Sequence, residues 1–139
     1  MEIRNSGNLK DNELSERVIG AAIEVHRSLG PGFLESFYEE ALCIELSLRG
    51  IGFERQYPVT VLYRDQEIGS HRLDLLIEGR LVVELKTVQE IDPIHFSVVR
   101  SYVKACNASS AIIMNFHSMP LTIKRVGTEP FISSPLSFS

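Results

Sequence analysis

The stretch from His71 to Val88, HRLDLLIEGRLVVELKTV, constrains the fold of this chain more than any other part of the sequence. Every second residue from Leu73 to Ile77 and from Leu81 to Leu85 is apolar, on either side of Glu78-Gly79-Arg80, which predicts two strands joined by a three-residue hairpin loop. Residues on the two strands then pair when their numbers are symmetric about Gly79. A sheet must form around this hairpin, and the other elements must pack against that sheet.

The predicted register sets Asp74 opposite Glu84 and Arg72 opposite Lys86, all on one face of the hairpin. Directly opposed side chains point to the same face, with Cβ atoms about 5 Å apart. A two-residue loop would move the carboxylates out of opposition, so the cluster depends on loop length. The other face is apolar throughout and must meet a core. Its residues are Leu73, Leu75, Ile77, Leu81, Val83 and Leu85.

Two directly opposed carboxylates repel each other unless a cation lies between them. Asp74 and Glu84, with waters and a substrate phosphate completing the shell, suit Mg²⁺ or Mn²⁺. Lys86, two residues beyond Glu84 on the same face, can orient a water or hold a phosphate oxygen, as metal-assisted phosphodiester hydrolysis requires. The alternative is a solvated ion-pair cluster, in which Glu84 pairs with Lys86 or Arg72 and Asp74 lies beside them.

Three other segments have the apolar spacing of amphipathic helices: 12–29, 33–49 and 93–106. The first helix ends at Gly30-Pro31, because Gly can close a helix and Pro cannot continue one. The third begins at Asp92-Pro93, a side-chain cap followed by a proline in the first turn.

Four short segments predict further strands. Two of them, 53–56 and 59–63, precede a turn near Arg64-Asp65. The nearly all-apolar segment 111–116 suits a strand buried on both faces, and 121–126 suits a short edge strand. The order α-α-β-β-β-β-α-β-(β) predicts an α/β chain of the α+β type, with a mixed sheet flanked by helices.

Length and composition fit one domain, which we place at 12–126, between a flexible N-terminus at 1–11 and an irregular tail at 127–139. No apolar run approaches the roughly 20 residues of a membrane span. The first residues also lack the apolar stretch of a secretory signal, so we expect a cytoplasmic protein. The net charge of −4 argues against tight nonspecific nucleic-acid binding. It does not exclude a nuclease whose metal ions supply positive charge at the phosphate.

The stretch IGAAIEVHRSLGPGFLESFYEEAL resembles the GxxExxY family, whose named residues fall here on Gly32, Glu35 and Tyr38. The segments LDLLIEGRLVVELK and HFSVVRSYVKA resemble the same family, so the resemblance runs from about Ile19 to Val126. The family is assigned to the PD-(D/E)XK nuclease-like superfamily, and its activity is largely a prediction.

The superfamily pattern implies that Asp74 and Glu84 are metal ligands, that Lys86 is the catalytic lysine, and that a helix carboxylate lies near the site. Glu35 is the candidate for that carboxylate. Its alternative role is that of an exposed acid in the first turn of a helix, where the helix dipole favours it. Residues with a supporting role in the site, or with a purely structural role on their helices, are Tyr38, His95 and Tyr102.

The sequence departs from the family at Val98, where members commonly carry Gln three residues after the position of His95. A polar helix residue near the lysine often helps position substrate or water in this superfamily. Two functions therefore stay open. The first is a Mg²⁺- or Mn²⁺-dependent nuclease or phosphodiesterase acting on DNA or RNA. The second is a catalytically idle nuclease-like fold that serves as a protein-interaction or homodimerisation module, and a small-molecule binding domain is a weaker third.

Overall fold

The computed structural model describes residues 6–127, and side chains from residue 11 onward. These residues form three helices and one five-stranded sheet, which confirms the predicted class of a mixed sheet flanked by helices. The helices are α1 (Ser6–Leu29), α2 (Glu35–Leu48) and α3 (Pro93–Cys106). The strands are β1 (Phe53–Tyr63), β2 (Gln66–Ile77), β3 (Leu81–Lys86), β4 (Ser110–Asn115) and β5 (Thr122–Val126).

The strands lie in sequence order across the sheet. Strands β3 and β4 are parallel, and every other neighbouring pair is antiparallel. A parallel pair needs a long crossover connection, which α3 supplies here. As predicted, β4 is an interior strand buried along nearly its whole length, and β5 is an edge strand.

Each face of the sheet packs against its own helical layer. On one face α1 and α2 cover a large apolar core, to which β2 and β3 contribute Leu75, Ile77, Leu81, Val83 and Leu85. On the other face α3 covers a smaller core through Val99, Tyr102 and Val103. The face that carries the predicted carboxylates is therefore partly covered by α3.

The first two predicted strands form one continuous strand, so three strands rather than four precede α3. Gln56 has a left-handed backbone conformation, with φ of 48°, and drops out of the β1–β2 ladder. Pairing resumes at Tyr57 in the same register, so the strand continues past the irregularity. The turn at Arg64-Asp65 occurs where the sequence predicts it. Because it contains only two residues, β2 pairs with β1 from Gln66 rather than from residue 71.

The first helix begins at Ser6 rather than near residue 12. Asp11 forms an ion pair with Arg80 in the β2–β3 loop, at 2.5 Å, which attaches this early turn to the sheet. Residues 1–5 of the predicted N-terminal segment and residues 128–139 of the predicted tail lie outside the described residues. Within the described part of the chain, none of the helices has the length and apolar character needed to cross a membrane.

Candidate active site

The hairpin between β2 and β3 has the predicted register. In its loop, Glu78 and Gly79 both have positive φ angles, of 52° and 66°, which turn the chain within three residues. The ladder stops one residue before Asp74 and Glu84. Its pairs are Ile77–Leu81, Leu76–Val82 and Leu75–Val83.

At Asp74 and Glu84, hydrogen bonds from a main-chain N–H to a carboxylate replace the backbone–backbone bonds of the ladder. The backbone N–H of Asp74 donates to Glu84 Oε2 at 2.8 Å, and the backbone N–H of Leu85 donates to Asp74 Oδ2 at 2.9 Å. Each carboxylate is thus bonded to the main chain of the opposite strand. The structure brings the two carboxyl groups together, and Glu84 is only 6% exposed.

Both β1 and β2 reverse their side-chain faces at this point. Leu75 belongs to the core under α1 and α2, whereas Leu73, two residues earlier, belongs to the core under α3. On the neighbouring strand Tyr57 also packs against the α3 core. The prediction that Leu73 shares a face with Leu75 is therefore wrong. The unpaired, left-handed Gln56 lies opposite Asp74 and allows the reversal, which a regular strand does not permit.

A buried acid that the sequence reasoning missed lies beside this reversal. Glu39 is 8% exposed and accepts hydrogen bonds from the Arg55 guanidinium and from Gln56 Nε2, the latter at 2.9 Å. The same Gln56 amide reaches Asp74 Oδ1 at 3.4 Å and so links the two acids. One signal was available, since Glu39 follows Glu35 by four residues. Like charges at that helical spacing are unfavourable without a partner.

Glu35 is the first residue of α2 and is half-buried. Burial raises the pKa of Glu35, the charge of Asp74 raises it further, and Lys86 lowers it. Glu35 therefore lies within electrostatic reach of two other predicted site residues. The structure gathers Glu35, Asp74, Glu84 and Lys86 at one place.

The site has more negative charge than its own cations offset. Burial raises the pKa of Glu84 to about 8, with repulsion from Asp74 as the next cause. Burial likewise raises the pKa of Asp74, and the charge of Glu39 adds to the effect. The charge of Lys86 lowers both pKa values, but both stay above the ordinary values of these carboxyl groups. Buried, mutually repelling carboxylates with perturbed pKa values are typical of functional sites.

A family model for the PD-(D/E)XK nuclease superfamily matches residues 12–126. The chain belongs to this superfamily. Neither the curated proteins nor the solved structures contain a match. The nucleases of the superfamily typically use divalent metals, and membership suggests a nucleic-acid substrate.

The alternative arrangement of the hairpin residues, a solvated ion-pair cluster around Asp74 and Glu84, is not formed. Among the described residues, no ion pair joins Asp74 or Glu84 to Lys86 or Arg72. Arg72 donates instead to the carbonyl oxygen of Gln56 at 3.0 Å. The predicted opposition of Arg72 and Lys86 is also absent. Counted from the loop, the β2–β3 ladder ends at Leu75–Val83, and β2 reverses its side-chain faces between Leu75 and Leu73.

Tyr38 has a structural set of contacts. It is fully buried, and its hydroxyl donates to the carbonyl oxygen of Gly30 at 2.5 Å and accepts from the N–H of Phe33 at 3.2 Å. Its ring stacks on Phe116, with centroids 4.5 Å apart. These contacts fasten the α1–α2 loop, and hence the start of α2, to the core.

His95 and Tyr102 occupy different places on α3. The Nδ1 atom of His95 accepts from the backbone N–H of Asp92 at 3.1 Å, which stabilises the helix start. Tyr102 lies nearer the carboxylates. Burial raises the pKa of Tyr102, and the charges of Glu84 and Asp74 raise it further. Its hydroxyl lies 3.3 Å from His71 Nδ1, a contact that the sequence analysis did not identify.

The donor set is compatible with a divalent cation, although it is not a complete metal shell. No group of three or more His, Cys, Asp or Glu side chains in the described part of the chain is arranged to hold a metal. Backbone N–H groups engage Asp74 Oδ2 and Glu84 Oε2, and Asp74 Oδ1 accepts a longer bond from Gln56 Nε2 at 3.4 Å. Carboxylate oxygens are the ligands that Mg²⁺ prefers, and Mg²⁺ usually keeps several waters.

Proposed function

We propose that this protein is a Mg²⁺- or Mn²⁺-dependent nuclease or phosphodiesterase that cleaves nucleic acid. The observation that carries the proposal is the reciprocal hydrogen bonding that holds Asp74 and Glu84 side by side, with Lys86 two residues further along β3. The superfamily match supports the same class of reaction. Membership of the GxxExxY family and a cytoplasmic location are part of the proposal.

Asp74 and Glu84 would hold the metal, each with one carboxylate oxygen already fixed by a main-chain N–H. When bound, the divalent ion lowers the pKa of the attacking water and offsets negative charge on the phosphate. Burial raises the pKa of both carboxyl groups and so disfavours their charged forms. A bound cation would offset this effect, because a nearby positive charge favours the charged forms, and this supports the proposed role. Glu35 accepts hydrogen bonds from water on the α2 side of the site.

Lys86 supplies a fixed positive charge where the phosphate gains negative charge in the transition state. It is half-buried at the end of β3, and none of the ion pairs among the described residues includes it. Its ammonium group can therefore donate to a phosphate oxygen or to the attacking water without first breaking an ion pair.

The test combines calorimetric Mn²⁺ titration with cleavage assays on single- and double-stranded DNA and RNA. Glu84→Ala should lose both Mn²⁺ binding and cleavage. Lys86→Ala should keep Mn²⁺ binding and lose cleavage by a factor on the order of 100 or more. Lys124→Ala is the matched control, because Lys124 is an exposed lysine on the edge strand β5. It should behave like the unchanged protein.

Absence of Mg²⁺- and Mn²⁺-dependent cleavage of all these substrates, with Lys86→Ala altering stability alone, would replace this proposal by the idle interaction module.

One observation favours that second candidate, the interaction module. The outer face of α2 exposes Phe37, Ile44 and Leu48, by 52%, 56% and 77%. Such a stripe suits contact with a second copy of the chain. Sedimentation velocity of Ile44→Ser beside the unchanged protein tests it, since a dimer formed there should dissociate.

A further inference from the structure

A groove of about 1050 Å³ lies between β1 and α3. This volume is at the upper end of the range for small-ligand pockets, so the groove has room for a segment of a chain molecule. Tyr57 lines the groove and directly follows Gln56, whose side-chain amide donates to Asp74 Oδ1 at 3.4 Å. The groove thus leads to the candidate active site. The polar and aromatic side chains of its lining include Tyr57, Arg64, His71, Ser101, Tyr102 and Lys104.

The helices α2 and α3, on opposite faces of the sheet, differ in the sign of their charged residues. The helix beside the groove, α3, contains Arg100 and Lys104 and no acidic residue. On the opposite layer, α2 has no basic residue. Its acids are Glu35, Glu39, Glu40 and Glu45. A polyanion that approaches the carboxylate pair is therefore attracted along α3, whereas arginines pair with three of the α2 acids and leave no excess cation there.

Cations lie at both walls of the groove. Arg64 is at the β1–β2 turn and Lys104 is in the last turn of α3; both are exposed. Asp65, beside Arg64, is the acid among the described residues of the lining. Two cations across a cleft can contact successive phosphates of one strand, even though the net charge of the chain is −4.

The wall between these cations is largely apolar and aromatic. Tyr57 and the exposed His71 offer rings, and Leu62 and Val98 offer exposed aliphatic surface. Such a wall suits the flat faces of unpaired bases, which stack on aromatic side chains. A duplex buries its base faces and presents mainly phosphates to a protein, so it would leave this wall unused.

We infer that the β1–α3 groove binds a single-stranded segment of nucleic acid and leads it to the Asp74–Glu84 pair. The second half of this inference rests on the proposed nuclease function. The first half, binding in the groove, requires neither metal nor cleavage.

The test measures fluorescence anisotropy of a short labelled oligodeoxythymidine in EDTA, over a series of salt concentrations. The double variant Arg64→Ala/Lys104→Ala should bind about tenfold more weakly at low salt. It should also lower the slope of log affinity against log salt by about 1.4, since each single-strand phosphate contact contributes about 0.7. The matched control is Arg27→Ala/Lys124→Ala, which removes two exposed cations from α1 and β5. It should bind as the unchanged protein does.

Equal binding by the groove variant and the control would overturn the groove as the binding surface. A duplex of oligodeoxyadenosine and oligodeoxythymidine that binds as tightly as the single strand would overturn the single-strand assignment. Loss of binding in the groove variant alone, with no cleavage by the unchanged protein under any metal, would support the groove and refute the proposed nuclease function. Cleavage that survives the groove substitutions unchanged would do the reverse.

Discussion

The backbone N–H of Asp74 donates to Glu84 Oε2 at 2.8 Å, so the residue that carries one carboxylate also holds the other. The return bond, from the N–H of Leu85 to Asp74 Oδ2, makes the arrangement reciprocal. Neither carboxylate can rotate away without leaving a partly buried main-chain N–H unsatisfied, at a cost of about 1–3 kcal/mol. The geometry of the pair is therefore set by the strand backbone, before any ligand arrives.

Stability in the absence of metal should depend on the protonation of Glu84. Its pKa is about 8 in the folded protein and near the ordinary 4.5 in the unfolded chain, so the folded state binds the extra proton between these values. The free energy of unfolding should therefore fall as pH rises from about 4.5 to about 8. The melting temperature measured in EDTA should fall over this window, and Glu84→Gln should remove most of that dependence.

Mn²⁺ should reverse this trend, because metal binding displaces the proton and the metal stabilises the folded state. The Mn²⁺-induced rise in melting temperature should be larger at pH 8 than at pH 6. An identical pH slope for Glu84→Gln and the unchanged protein would show that Glu84 does not carry the proton.

The hairpin register could be predicted because it depends on local information alone. A three-residue loop centred on Gly79, between two alternating strands, fixes which residues oppose each other. The carboxylate pair and Lys86 followed from that register without knowledge of the rest of the fold. The presence of the three helices was predictable for the same reason, since caps and apolar spacing are local signals, whereas the start of α1 at Ser6 was not.

The face reversal at Gln56 and Asp74 could not be predicted from alternation. Gln56 is not a residue type that favours positive φ, so no local signal marks the irregularity in β1. The partners of Glu39 could not be predicted either. They are Arg55 and Gln56, 16 and 17 residues away, and these contacts exist only after α2 has packed beside the sheet.

Gln56→Gly should separate stability from activity. Glycine adopts a φ of 48° without the cost of about 1–2 kcal/mol that a side chain meets there, although it also gains entropy in the unfolded chain. Stability should therefore change by less than about 1 kcal/mol. The substitution removes the amide that links Glu39 to Asp74, so cleavage should fall about tenfold, measured as kcat at saturating metal.

Asn107→Gly is the control for this substitution. Asn107 has a φ of 59° at the end of α3, so the variant places glycine at another left-handed position, outside the carboxylate cluster. Its cleavage rate should be unchanged. A similar loss of kcat in both variants would show that Gln56 does not act through Asp74.

Tyr38→Phe should destabilise the protein by about 1–2 kcal/mol in urea-induced unfolding. The substitution keeps the stacked ring but leaves the carbonyl oxygen of Gly30 and the N–H of Phe33 without their partner. Tyr63→Phe is the matched control, because Tyr63 is 63% exposed at the hairpin tip, and it should change stability by less than about 0.5 kcal/mol. Equal effects of the two substitutions would show that the hydroxyl of Tyr38 does not stabilise the α1–α2 loop.

Asn115→Leu should weaken both the fold and the placement of Lys86. Asn115 is 3% exposed; its Oδ1 accepts from the N–H groups of Val88 and His117, both at 3.1 Å, and its Nδ2 donates to the Val88 carbonyl oxygen at 2.7 Å. Leucine has a similar volume but satisfies none of these groups, so the free energy of unfolding should fall by about 2–4 kcal/mol. Since Val88 follows Lys86 by two residues, release of this segment should also lower kcat while Mn²⁺ affinity changes little.

The matched control is Asn12→Leu, at an exposed position of α1, which should leave both the free energy of unfolding and kcat unchanged. A loss of Mn²⁺ affinity in Asn115→Leu equal to its loss of kcat would show that the substitution disturbs the carboxylate pair rather than Lys86.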